Sequence, residues 1–99
     1  MTLANIRKDL KEIRYYYSRK EAFDKALREV ATNSILEKVE KYNRAVSTAT
    51  PKLYDLYISL HVNGLTHEAL AVEWGYMPLH VTRLNKKLLL FLQERLGGG

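Results

Sequence analysis

The 99-residue sequence contains no cysteine, which excludes a disulfide framework and any thiolate zinc site. Glycine and proline are scarce, with five and two residues. Three of the glycines are the terminal Gly97–Gly99, read as a flexible tail outside the fold. Residues 3–46 contain neither, so nothing in that stretch forces a helix to break. Long hydrophobic runs are missing too. The longest, Leu88–Leu92, is far too short to span a bilayer. Arg7, Lys8 and Asp9 interrupt the amino terminus where a signal peptide would be apolar. The expectations are a cytoplasmic location and no membrane partner. There is also no glycine-rich phosphate loop, and no paired carboxylates sit beside a histidine in a recognisable motif. His61, His67 and His80 are not at metal-ligand spacing on one helix. No enzyme, cofactor or metal is therefore expected.

What is present is a basic, ordinary globular composition. Hydrophobic residues make up 46% and charged residues 27%, enough for one domain. The formal net charge is +5, which favours a polyanionic partner, most often nucleic acid. The excess sits mainly in residues 1–50, with 11 Lys/Arg against 7 Asp/Glu; residues 51–99 carry 5 against 4.

The apolar spacing predicts helices. Leu3, Ile6, Leu10, Ile13 and Tyr17 recur at three and four residues, one face of a helix over 3–17 with Thr2 as its cap. At Ser18 the register shifts, and Ser18-Arg19-Lys20-Glu21 fits a capping box for a second helix over 19–46. Its stripe runs through Phe23, Leu27 and Val30, then loosely through Leu36, Val39 and Val46; one long bent helix is the alternative. Tyr15–Tyr17 occupy adjacent positions and are read as part core, part packing surface. Residues 47–51 form the one clear linker. Thr50 caps the next helix, Pro51 suits its first turn, and Asn63-Gly64 end it. That helix carries two apolar faces, Leu53/Leu56/Tyr57/Leu60 and Tyr54/Ile58/Val62, so it should lie between the two halves of one shared core.

Residues 65–88 hold the most specific signal. Thr66 caps a short helix with Glu68 in its first turn, Leu70 and Trp74 point inward, and Ala71 must be small where the next helix crosses. Gly75 supplies a sharp left-handed turn. Pro78 restarts a helix whose inward side is Val81, Leu84, Leu88 and Phe91. Helix, glycine turn and helix together make the DNA-binding supersecondary unit.

This segment, Leu65-Thr66-x-Glu68-x-Leu70-Ala71-x-x-Trp74-Gly75 followed by Val81, Leu84, Lys87 and Leu89, resembles the helix-turn-helix of bacterial sigma factor region four. The likeness to small phage-encoded late-gene activators of the RinA and ArpU type is closer, and extends through Tyr15–Lys20 and Pro51–Tyr57. The resemblance implies control of phage or prophage transcription by promoter binding, with RNA polymerase a further partner.

The expected architecture is all-α with about five helices. A carboxy-terminal helix-turn-helix three-helix module over 50–96 is braced by two amino-terminal helices within 1–46, a bracing and dimerisation segment. The expected DNA-binding residues are Thr66, Met77, Leu79, Thr82, Arg83, Lys86 and Lys87. Thr82 and Arg83 would read bases, Lys86 and Lys87 would hold phosphates, and Met77 and Leu79 can touch only a thymine methyl. Arg7, Lys11 and Arg14 lie at i, i+4 and i+7 and are candidates for secondary phosphate contacts. The plainer reading is a solvated stripe diluted by Asp9 and Glu12. Leu90 points away from Val81 and needs a cover, either the amino-terminal helices or the second subunit of a homodimer. Two other functions stay open: a protein that docks on RNA polymerase or a sigma factor, and a small DNA-packaging terminase subunit.

Overall fold

Apolar residues at helical spacing, with caps at the ends, build five helices among the described residues. The structure is a computed structural model that describes residues 1–20 and 34–97. Helix α1 is Leu3–Ser18, α2 Ser34–Val46, α3 Pro51–Tyr57, α4 His67–Trp74 and α5 Pro78–Gly97. Among these residues no strand occurs and no helix is long and apolar enough to cross a membrane. The expected stripe Phe23/Leu27/Val30 and the capping residue Glu21 lie outside the described residues.

The predicted caps form. The hydroxyls of Thr2, Thr50 and Thr66 accept from the backbone N–H of Asn5, Leu53 and Ala69, each satisfying an otherwise orphaned donor. The Ser18 hydroxyl donates back to the Tyr15 carbonyl at 2.7 Å and so helps close α1; whether it also caps the helix expected after it turns on Glu21, outside the described residues. Arg19 then leaves helical geometry at φ −124°, ψ 27°, which rules out a single helix running on from α1. Among the tyrosines, Tyr16 is buried, Tyr15 exposed and Tyr17 half-buried. At the other end α5 continues through Gly97, beyond the expected start of the tail.

One core joins all five helices. Ile6, Leu10 and Ile13 of α1 meet Val39, Tyr42 and Val46 of α2, Leu56 and Tyr57 of α3, Leu70 and Ala71 of α4, and Val81, Leu88 and Leu92 of α5. Each fully buried leucine contributes on the order of 2 kcal/mol. Helix α5 packs on each of the other four described helices and is the central strut. As expected, α3 lies between the halves, touching α1 and α2 on one side and α4 and α5 on the other through itself and its continuation. Tyr54 departs from its expected apolar face and is exposed. Phe91 and Trp74 are half-buried at the rim of the core.

A polar clasp ties α1 to α2. Lys38 sits 3.1 Å from Asp9 and pairs also with Glu12, and the Tyr42 hydroxyl donates to Asp9 at 2.7 Å. Burial, reinforced by the Asp9 carboxylate, pushes the Tyr42 hydroxyl well above the ordinary tyrosine pKa. The hydrogen bond to Glu12 raises the pKa of Lys38.

Candidate nucleic-acid interface

The turn between α4 and α5 is set by one glycine. Gly75 takes φ +71°, ψ 31°, a left-handed conformation that side-chain-bearing residues rarely adopt. Its N–H and that of Tyr76 return to the carbonyls of Val72 and Ala71 at 3.3 and 2.8 Å, a Schellman closure. Ala71 is buried where α4 meets α5, and Pro78 begins α5 where its missing N–H costs nothing.

This fixes what α5 shows to solvent. Val81, Leu84, Leu88 and Leu92 face the core. Leu79, Arg83, Lys86 and Leu90, at i, i+4, i+7 and i+11, form the opposite, exposed stripe. Lys87 is exposed beside it. Arg83, Lys86 and Lys87 have no ion-pair or hydrogen-bond partner among the described residues. Leu90 shares this outward face and is not covered there.

Thr82 is placed differently from a free base reader. Its hydroxyl donates to the Pro78 carbonyl at 3.2 Å and lies 2.9 Å from His67 Nδ1. The hydroxyl therefore accepts from His67 and pins the start of α4 to the first turn of α5. Thr66 likewise spends its oxygen on the Ala69 N–H at 3.0 Å, so of the first turn of α4 only the His67 and Glu68 backbone N–H groups remain for any anion. Four apolar side chains around the turn and along α5 stand in solvent: Val72 at 84%, Met77 at 74%, Leu79 at 59% and Leu90 at 47% exposure.

The α1 stripe borders the flank of α5 that carries Asn85 and Leu89. Arg7, Lys11 and Arg14 are exposed and border a cleft of about 200 Å³ against His61, Asn85 and Leu89. Asp9 and Glu12 do not dilute the stripe. Two residues along a helix turn the side chain by about 200°, so Asp9 faces away from Arg7, and both acids are held by α2.

Two features were missed from sequence. After Tyr57 the α3 ladder widens into a π turn over Ile58–Val62, with Asn63 N–H bonded to the Ile58 carbonyl at 2.8 Å, before Gly64 stops it at φ +75°. The π turn carries His61, whose Nε2 lies 2.9 Å from the Asn85 side-chain oxygen and donates to it. Burial, aided by nearby His67 and Arg14, lowers the His61 pKa against the pull of Asn85. The second feature is an open groove of about 610 Å³ lined by Lys52, Tyr54, Asp55, Ile58, Trp74 and Tyr76. Lys52 bonds the Tyr76 hydroxyl across it. No local sequence signal marks either feature. Comparison with protein-family models, curated proteins and solved structures finds no match for this chain.

Proposed function

We propose that the protein binds duplex DNA as a small transcription regulator. In this reading α3, α4 and α5 act as a helix-turn-helix module with the first turns of α5 in the major groove. The observation that carries it is the outward face of α5 behind the Gly75 turn, where Arg83, Lys86 and Lys87 stand exposed and unpartnered. Arg83 is the one residue there with a fork suited to guanine O6 and N7, while Lys86 and Lys87 suit phosphates. The resemblance to sigma factor region four and to RinA and ArpU type activators points the same way. Neither catalysis nor a cofactor enters this reading. Of the described faces that argued for a homodimer only Leu90 remains exposed, because Ile6, Leu10 and Ile13 are buried within the chain.

Selection from random duplexes, followed by a salt series on the selected and a scrambled site, tests the proposal. Arg83→Ala should cost about 1–3 kcal/mol on the selected site and relax preference at one base pair. Lys87→Ala should weaken binding to both duplexes alike and lower the salt slope by about one unit. If both variants bind like the parent on both duplexes, α5 does not read DNA. The second reading then leads: docking on RNA polymerase or a sigma factor through the exposed Val72, Met77, Leu79 and Leu90. A polymerase band that survives nuclease in a pull-down would support it.

A further inference from the structure

Helix α1 lies on the opposite side of the sequence from the α4–α5 turn, yet its cations come to rest beside α5. Leu10 of α1 and Leu89 of α5 line the cleft, with Arg7, Lys11 and Arg14 along one lip and Asn85 of α5 across it. Lys11 and Arg14 also border the next depression along α1, with Tyr15 and Ser18. Arg14 reaches furthest: a Cβ on Gly64 would meet its Nε at 3.4 Å. Its guanidinium therefore overhangs the loop that leads into the amino terminus of α4. The α1 cations share their cleft with Asn85 of α5, which also meets His61; Asn85 lies next in sequence to Lys86 and two residues from Arg83.

Among the described residues no acid pairs with this stripe, and that sets it apart from the other cluster of cations. Lys41 and Arg44 of α2, with Arg95 of α5, border a separate depression. There Glu37 and Glu40 precede Lys41 and Arg44 by four residues, the favourable spacing for pairing on a helix. No acid lies three or four residues from Arg7, Lys11 or Arg14, and the two acids of α1 face α2. From Arg7 to Arg14 the stripe spans seven residue steps, about 10 Å of helix. Phosphates on one DNA strand recur about every 3.4 Å of axis, so the stripe matches about three of them.

We propose that α1 is a second DNA-contacting element, whose Arg7, Lys11 and Arg14 seat the phosphate backbone of one strand flanking the groove that α5 occupies. This rests on the DNA-binding reading above. It makes the amino-terminal helix part of the interface as well as a brace, and sets the register of α5 on the duplex from outside the module.

The test uses the full chain and a mixed-sequence duplex over a salt series. Arg7→Gln/Lys11→Gln/Arg14→Gln should lower the slope of log affinity against log salt by roughly two to three units. A charge-matched control, Lys41→Gln/Arg44→Gln/Arg95→Gln, should leave the slope near that of the parent. Arg7→Lys/Arg14→Lys should retain it, because a phosphate accepts either cation. All six positions are exposed, and circular dichroism checks that each variant folds. A parental slope in the α1 triple variant overturns the proposal, and so does an equal loss in the control, which would mean net charge alone. The two readings fail separately. If the α1 triple lowers the slope while Arg83→Ala and Lys87→Ala change nothing, α1 binds DNA and α5 does not. If the parent shows no salt-dependent binding to any duplex, both are overturned.

Discussion

Replacing Gly75 isolates a single physical cost. Its φ of +71° lies in the left-handed region, and a Cβ built on it meets nothing within 4 Å. A side chain there creates no clash, so the penalty is the backbone conformation alone. The left-handed form costs an L-residue on the order of 1–2 kcal/mol, and the stiffer unfolded chain of Ala offsets about half a kcal/mol. Gly75→Ala should therefore destabilise by about 1 kcal/mol. Gly75→Val, β-branched, should cost about 1–3 kcal/mol. Gly75→Asn should fall closest to the parent, since Asn tolerates this region best after Gly. In a domain of this size 1 kcal/mol moves Tm by about 4–8 °C.

Urea unfolding read by circular dichroism and by the fluorescence of Trp74, the only tryptophan, gives the ranking. Trp74 adjoins the turn and dichroism reports the whole bundle, so coincident transitions would show that the turn melts with the core. Equal stability of the Ala, Val and parent proteins would refute the left-handed assignment. So would an Asn variant as unstable as Val.

Leu88 is fully buried and Leu90 exposed; Leu88→Ala should cost about 2–5 kcal/mol, and Leu90→Ala under about 0.5 kcal/mol, both measured by denaturant titration. The lowered pKa of His61 means that its contribution to stability is complete above the unfolded value of about 6.5. It is lost as pH falls from there through the folded value, because the unfolded chain takes up the proton first. The parent should thus lose stability on mild acidification before the carboxylates titrate, and His61→Gln should lose less over the same window; equal losses would refute the assignment.

Local structure was legible in the sequence because its causes are local. Thr50-Pro51, Thr66 and Gly75 act on their own backbone within four residues, and each does what its chemistry dictates. A serine at a helix junction can serve either side, and the Ser18 hydroxyl does serve the preceding helix through the Tyr15 carbonyl. The candidate site was legible only in part. The outward face of α5 follows from the spacing of Val81, Leu84 and Leu88. The engagement of Thr82 by His67 depends on how α4 and α5 are juxtaposed. The π turn at Ile58–Val62 is invisible for the same reason, since a widened turn answers the packing around it. Asp9 and Glu12 were misjudged by nearness in sequence, although helical geometry alone turns them from Arg7.

The exposed leucines of α5 bear on how the two functional readings relate. Leu79 and Leu90 share one face but lie eleven residues apart, about 16 Å of helix, which exceeds the roughly 12 Å width of the major groove. If α5 reads DNA with its first turns, the residues from Leu79 to Lys86 meet the groove and Leu90 stays outside it. Val72, on α4, is likewise not part of the α5 stripe. DNA contact and protein contact then draw on different side chains of one rigid unit: Arg83 and Lys86 for the duplex, Leu90 and Val72 for an apolar partner. Because α5 packs on α1 and the other described helices, its position relative to α1 is held by the core. A partner meeting Leu90 would meet a surface whose orientation on the DNA is already fixed, which lowers the entropy cost of assembling all three.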